Sequence, residues 1–424
     1  MPPKDGKSAL ITFLIKQRGS MADFHQNGVI STLHNFSHRS SDDIENELRI
    51  FAKDDPIELI LPSLYSELEG PALTNIVECL SKVKYLNHIT IGLDKANKKE
   101  FKNAKKFFSK LNQSHSVIWN DSPGMKKIDK NLKEIGLAPD EPGKGKNVWY
   151  CMGYVFARGE AKSIALHDCD ITTYTQELLA RLVYPVANPN FNYEFCKGYY
   201  PRITNGTLGG RVTRLLVTPL LKTFKKVLGH RDYLEFIDVF RYPLAGEFSF
   251  RSRLLKEIRI PCDWGLEIGL LSEMQRNQAY NRICQVDIGD TYDHKHQKLS
   301  LESEGKGLSK MSIDITKTFI RKLAAQGDTF TYNILRTLKA TYYRTALDLL
   351  EIFHNDAKLN GLDLNINEEE IAIEMFSNNI ITAGQQFLDN PNQNPLITNW
   401  NRVQTAVPDI KQELLETVES DSRI

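Results

Sequence analysis

The sequence predicts an α/β fold built on a parallel, doubly wound sheet. Short apolar runs rich in β-formers recur at residues 57–62, 88–93 and 116–119. Stretches of helical spacing separate them, and a further run, 163–167, closes on a pair of aspartates. Strand and helix patterns that alternate in this way imply crossover connections, which keep successive strands parallel.

The first run, IELILP, is halted by Pro62 and reads as a buried strand. Residues 71–84 place Leu73, Ile76, Val77, Leu80 and Val83 at helical spacing. His88 to Leu93 ends at Asp94, a lysine-rich helix is expected over 95–111, and Ser116 to Trp119 is the third strand. Residues 122–147 are rich in Gly, Pro and Lys and read as one long connection, a feature commonly tied to function inside an α/β domain. A helix over 148–160 feeds the strand Ser163 to His167. Beyond it the pattern predicts a strand (194–200), a helix (210–228), an apolar turn (242–250), a helix (265–276) and a strand (283–288). From about residue 310 the pattern is helical, interrupted by the polar segment Asp389 to Pro395, and the acidic tail from about 416 reads as frayed.

Bulk properties narrow the class. With 424 residues, 41% hydrophobic and 25% charged, the chain is long enough for a full core. A formal net charge of +1 gives no reason to expect a nucleic-acid or membrane-surface partner. Six cysteines without CxxC spacing read as reduced, mostly buried thiols of a cytoplasmic protein. No apolar run reaches the roughly 20 residues that span a bilayer. Residues 1–20, which precede Met21, read as an extended start or a remnant and are set aside.

Five motifs carry candidate chemistry. Asp168-Cys169-Asp170 ends a strand, where ligands gather in open α/β sheets, and two carboxylates so spaced can hold a hard divalent cation. Asp-x-Asp is equally a solvated turn when it stands alone. His294 and His296 follow the strand 283–288, and either imidazole can complete a metal site or simply lie at the surface. Glu141-Pro142-Gly143-Lys144-Gly145-Lys146 joins small residues to lysines that can offer charge to phosphates, without P-loop spacing. Gly209-Gly210-Arg211-Val212-Thr213 opens a helix and makes an anion seat or an ordinary cap. Glu247, in Pro243-Leu244-Ala245-Gly246-Glu247, and Glu267, in Trp264-Gly265-Leu266-Glu267, are acids in apolar surroundings that need partners.

In this order, and with Pro219-Leu220-Leu221 and Gln285-Val286-Asp287-Ile288-Gly289, these segments resemble the glucosyl-3-phosphoglycerate synthases, retaining glycosyltransferases of GT-A fold. The similarity runs from about residue 55 to 325. It implies a GT-A domain over 21–327, with a nucleotide-binding half at about 55–170 and an acceptor half at about 171–327, followed by a helical extension over 328–424. It further implies that Pro62, Ser63, Leu64 and Glu67 hold the nucleotide, that Asp94 faces the uracil and that Lys144 anchors the donor. Asp168 would contact the ribose or donor sugar, and Asp170 with His294 would bind Mg2+ or Mn2+. Gly210, Arg211, Val212 and Thr213 would seat the acceptor's anionic group, while Glu247 and Glu267 orient sugar and acceptor.

Two departures stand out. Leu64 is followed by Tyr65-Ser66-Glu67 where the family has Asn-Glu-Glu. The loop before the metal histidine is one residue longer, which makes His296 the alternative ligand. The extension reads as a cap or dimerisation element, and a homodimer is expected. The function implied is glucosyl transfer from a UDP-sugar to 3-phosphoglycerate, giving a precursor of the compatible solute glucosylglycerate. GDP-mannose as donor, glycerate as acceptor, or a sugar nucleotidyltransferase on the same sheet are the alternatives.

Overall fold

The computed structural model describes residues 26, 28–293, 307–393 and 396–424. Its centre is an eight-stranded sheet in the order β1-β10-β6-β9-β5-β2-β3-β4. The strands are β1 (Ser31–Leu33), β2 (Ile57–Leu64), β3 (Leu86–Asp94), β4 (Ser114–Trp119), β5 (Ser163–Leu166), β6 (Phe195–Tyr199), β9 (Phe248–Arg251) and β10 (Ile283–Asp287). A small hairpin, β7 (Ile203–Thr204) and β8 (Thr207–Leu208), stands apart. All pairings in the large sheet are parallel except those of β9, which runs antiparallel to both β5 and β6.

The period-2 rule of strands divides the core. Ile57, Leu59 and Leu61 of β2, with Ile89 and Ile91 of β3, face one side. There they meet the helices Ser41–Phe51, Pro71–Leu80, Lys98–Phe108 and Gln176–Ala187. Ile60, Ile164 and Leu166 face the other side, against the helices Lys144–Arg158, Thr218–Leu228 and Leu266–Asn277. β2 is the pivot of the fold, because β3 and β4 lie on one side of it and β5 on the other. β5 pairs only with Ile57 to Ile60, so Pro62 to Leu64 project beyond its end. There Pro62 leaves no ladder bond to β5 unmade. A crevice at such a reversal of strand order is the usual ligand site of an open parallel sheet.

Several expectations from the sequence need correction. The connection 122–147 contains a helix, Pro123–Glu134, capped by the Ser122 side chain. Pro-Gly there starts a helix at N1 rather than a turn, and Met125, Ile128 and Leu132 bury its inner face. The apolar stretch 242–250 includes strand β9 rather than a turn alone. Residues 210–228 do not form one regular helix. Gly210 is left-handed (φ 73°), and Thr213–Val217 is a π-helical segment ahead of the helix Thr218–Leu228. The acidic tail is the helix Ile410–Ser422, docked on the helix Lys144–Arg158 with Leu414 and Val418 buried.

The helices after Gly307 share the core of the sheet's second face. Ile373, Phe376 and Ile380 belong to the same apolar cluster as Leu215, Leu220 and Phe224. Trp400 stacks on Trp149 at 4.4 Å and donates to the Trp149 carbonyl at 2.9 Å, while the Trp149 indole donates to the Thr398 carbonyl at 2.8 Å. A Cβ on Gly153 would collide with the Trp400 ring, so glycine is required for this approach. Trp400→Ala is expected to lower stability by about 3–5 kcal/mol, measured by urea unfolding. A loss below about 1 kcal/mol would show that this contact does not anchor the helices that follow.

Candidate functional site

The site forms where strand ends and helix starts converge on the crevice. β5 ends at Leu166, and the chain turns through Asp168 and Asp170, both half-buried. β9 is antiparallel and pairs Phe248 with Leu166 and with Lys197. Its first residues therefore lie at the carboxyl edge of its parallel neighbours, and this places the turn 242–247 in the site. Gly246 packs so closely that a Cβ there would lie 2.5 Å from Asp168 Oδ2.

Lys144 begins the helix Lys144–Arg158, and Glu267 lies in the first turn of Leu266–Asn277. These helix starts can meet because Gly145 abuts the Pro261 carbonyl, where a side chain does not fit. Lys144 Nζ bridges Asp168 Oδ1 at 2.6 Å and Glu267 Oε1 at 3.3 Å. Burial alone would lower its basicity, but Asp168 and Glu267 hold it above the usual lysine range. Lys146, also expected to offer charge to phosphates, is engaged elsewhere: its Nζ lies 2.6 Å from Asp129 Oδ1.

Glu247 is fully buried. Tyr200 Oη donates to Oε2 at 2.8 Å and Tyr292 Oη to Oε1 at 2.5 Å, and the two tyrosine rings stack at 3.6 Å. Burial and the neighbouring Asp168 push its carboxyl upward despite these bonds. Asp170 is held at about 7 by burial and by the charge of Asp168, with Glu67 and Glu247 adding to the effect and Lys144 opposing it. Among the described residues, carboxylates thus outnumber the cations that face them.

Asp94 ends β3 half-buried, and burial raises it to about 6 although Asn120 donates to Oδ1 at 2.7 Å and Asn147 also binds it. Pro62, Ser63 and Leu64 line the end of β2, where Ser63 Oγ donates to the Leu64 carbonyl at 3.0 Å. Glu67 lies in the short helix Tyr65–Glu69 and faces the Asp170 cluster.

Gly210 sits against the Tyr242 hydroxyl, and Tyr242 packs on Tyr200, so the expected acceptor seat and Glu247 flank one aromatic pair. Thr213 Oγ1 is buried and has no hydrogen-bond partner among the described residues. Val212 is half-buried and packs on the apolar core. Arg211 turns toward the C-terminal helix Ile366–Asp389, where Nε donates to Glu369 Oε1 at 2.7 Å and Nη2 to Glu368 Oε2 at 3.2 Å.

His294 and His296 lie outside the described residues. Among those described, no group of three or more His, Cys, Asp or Glu side chains is arranged to hold a metal ion. The described chain reaches Asp293, which accepts from the Thr172 backbone at 2.9 Å and from Thr204 Oγ1 at 2.6 Å.

Sequence reading missed several residues of the site. Lys197 on β6 is fully buried and donates to the Ala245 carbonyl at 2.6 Å, and burial pulls it down to about 8. A lysine inside the apolar strand FCKGY was the available signal, since a buried ammonium requires partners. Tyr200, Tyr242 and Tyr292 bore no spacing that would mark them.

No family model matches the chain. It is 45% identical over 402 residues to the glucosyl-3-phosphoglycerate synthase of Persephonella marina, covering 95% of this chain and 99% of that one. It is 39% identical over 403 residues to that of Methanococcoides burtonii, covering 94% and 98%. A crystal structure of the Mycobacterium tuberculosis enzyme with phosphoglyceric acid matches with a TM-score of 0.51 at 20% identity, over 70% of this chain and 88% of that one. The same enzyme in complex with Mn2+, UDP-glucose and phosphoglyceric acid matches with a TM-score of 0.51 at 21% identity, over 70% and 88%. At such identities the likeness is one of fold, whereas the first two relatives match along nearly their whole length. The chain belongs to the glucosyl-3-phosphoglycerate synthases.

Proposed function

We propose that the protein is a metal-dependent hexosyltransferase that moves glucose from UDP-glucose to 3-phosphoglycerate with retention at the anomeric carbon. The observation that carries this reading is identity of 45% along 95% of the chain with a glucosyl-3-phosphoglycerate synthase. Solved structures of the Mycobacterium tuberculosis enzyme contain Mn2+ or Mg2+ with UDP, and Mn2+ with UDP-glucose and phosphoglyceric acid.

The residues present fit a divalent cation. Burial and the neighbouring Asp168 raise the Asp170 carboxyl to about 7, and a divalent cation favours the charged form that they oppose. Asp170 would hold Mg2+ or Mn2+ together with His294, or with His296 as the alternative. Such an ion, when bound, stabilises the charge that builds on the departing diphosphate.

The chain's own residues do the rest. Pro62, Ser63, Leu64 and Glu67 line the nucleotide, and Asp94, steadied by Asn120 and Asn147, accepts from the uracil N–H. Lys144 exchanges its carboxylate partners for the diphosphate, and Asp168, backed by Gly246, meets the ribose or donor sugar. Glu247 and Glu267 orient sugar and acceptor hydroxyls, while Gly210, Arg211 and Thr213 bind the acceptor's anionic group. The acceptor hydroxyl attacks from the leaving-group face. Its oxygen bonds to the anomeric carbon as the bond to UDP breaks, and its proton passes to a diphosphate oxygen, so no protein nucleophile is needed.

The product is then the phosphorylated precursor of the compatible solute glucosylglycerate. We assign the reaction to the cytoplasm, a reducing compartment that suits six free thiols. No described helix is long and apolar enough to cross a membrane. A homodimer is part of the same reading, supported by Tyr343, Ile352 and Leu359, which the helix Tyr332–Leu359 leaves exposed.

In a panel of donors and acceptors, UDP-glucose with 3-phosphoglycerate is expected to release nucleotide fastest, and excess chelator to stop the release. Faster release with GDP-mannose or glycerate would overturn the substrate assignment, and full-rate release in chelator the metal assignment. Asp170→Asn should lower kcat about 100- to 1,000-fold, the scale of losing one charge-stabilising group. Activity within threefold of the parent would remove Asp170 from the site. Gly246→Ala should lower kcat about 100-fold by displacing Asp168, with little change in melting temperature. An unaltered kcat would show that this close approach does not matter.

A further inference from the structure

The acceptor seat is built from two distant parts of the chain. From the hairpin β7–β8 into the π-helical segment, residues 206–214 are held by the stretch Asp363–Glu369. The Leu208 amide donates to the Asp363 carbonyl at 3.2 Å, and the Asp363 amide donates to the Gly206 carbonyl at 2.7 Å. Glu369, in the first turn of the helix Ile366–Asp389, is buried with 2% exposure. Its Oε1 accepts from Arg211 Nε at 2.7 Å, and its Oε2 lies 2.9 Å from Arg214 Nη2. Arg214 also donates to the Gly209 carbonyl at 2.7 Å and to the Leu208 carbonyl at 3.2 Å, which fixes the approach to Gly210.

The buried Glu369 carboxylate is shared by two guanidinium groups, and the second negative charge that balances them, Glu368, is exposed. Arg211 is held by Nε, so its Nη1 is not engaged by Glu369. Glu368, on the exposed side, takes only Nη2, at 3.2 Å. Two residues further on, the buried Thr213 hydroxyl has no hydrogen-bond partner among the described residues. A guanidinium held through Nε by a buried carboxylate suits a small phosphorylated or carboxylated acceptor.

We propose that Glu369 is a positioning residue for acceptor binding: it aims Arg211 at the acceptor's anionic group, so the C-terminal helices form the back wall of the acceptor seat. This rests on the glucosyl-transfer reading above. Glu368 competes with the acceptor for the same guanidinium and yields it on binding.

Steady-state kinetics of the full-length protein with UDP-glucose and 3-phosphoglycerate test the proposal. Glu369→Gln should raise the KM for 3-phosphoglycerate about tenfold or more and leave the KM for UDP-glucose within about twofold. In an Arg211→Ala background the same substitution should add less than about twofold, because its effect passes through Arg211. An unchanged acceptor KM, or a penalty that persists in full without Arg211, would overturn the proposal and leave Glu369 a structural residue. Should Glu369→Gln fail to fold, Glu368→Gln still decides, because Glu368 is exposed. It should lower the acceptor KM about two- to threefold at low salt, an effect that screening removes at high salt, and an unchanged low-salt KM would overturn the proposal. A parent protein unable to glucosylate 3-phosphoglycerate would instead sink the functional reading itself.

Discussion

Excess negative charge at the carboxyl edge of a parallel sheet is the constraint on which the rest of this structure depends. Among the described residues, Asp168, Asp170, Glu247 and Glu267 converge there with Glu67 nearby, against two lysines, Lys144 and Lys197. The shortfall is visible in Asp170, held at about 7, and in Glu247, pushed upward although two tyrosines donate to it. A site in that condition gains from a divalent cation, and with the cation comes a place for a diphosphate. The glycines follow from the same crowding: Gly246 lets the backbone lie against Asp168, and Gly145 lets the Lys144 helix reach the carboxylates.

The antiparallel strand β9 solves a geometric problem. In an all-parallel sheet, only residues that follow strands reach the carboxyl edge. Reversing β9 brings residues that precede a strand to the same edge, so Gly246 and Glu247 join Asp168 and Asp170. Lys197 lies beside that reversal, opposite Phe248, and its bond to the Ala245 carbonyl ties the turn to β6.

The C-terminal helices belong to the same construction. Their apolar faces complete the core over one side of the sheet, and the stacked Trp149 and Trp400 join that core to the far end of the chain. Tyr342 donates to the Leu215 carbonyl within the π-helical stretch, close to where Glu369 grips Arg211. Extra hydrogen-bond partners of this sort stabilise a backbone segment that departs from regular α-helix.

Much of this was readable in advance where the signal was local. The runs at 57–62, 88–93 and 163–167 became β2, β3 and β5 because a continuous apolar run suits a strand buried on both faces. Pro123-Gly124 misled because the same dipeptide serves a turn or a helix start, and only the burial of Met125 and Ile128 distinguishes them. The terminal helix was misread for a related reason: Glu413, Glu416 and Glu419 face solvent, while its buried side, with Leu414 and Val418, packs on elements more than 250 residues earlier, the helix Lys144–Arg158 among them.

By itself the sequence determined the alternation of strands and helices, the strand-end position of Asp168 and Asp170, and the motif order that marks the family. Those depend on period and neighbourhood, which a linear chain carries openly. Only the tertiary structure decided that Lys144 would meet Glu267 across 123 residues and that Arg211 would meet Glu369 across 158. It also decided that Lys146 would turn to Asp129 instead of the site. Ion pairing is a matter of distance in space, and distance is set by strand order and helix docking, which no local periodicity records.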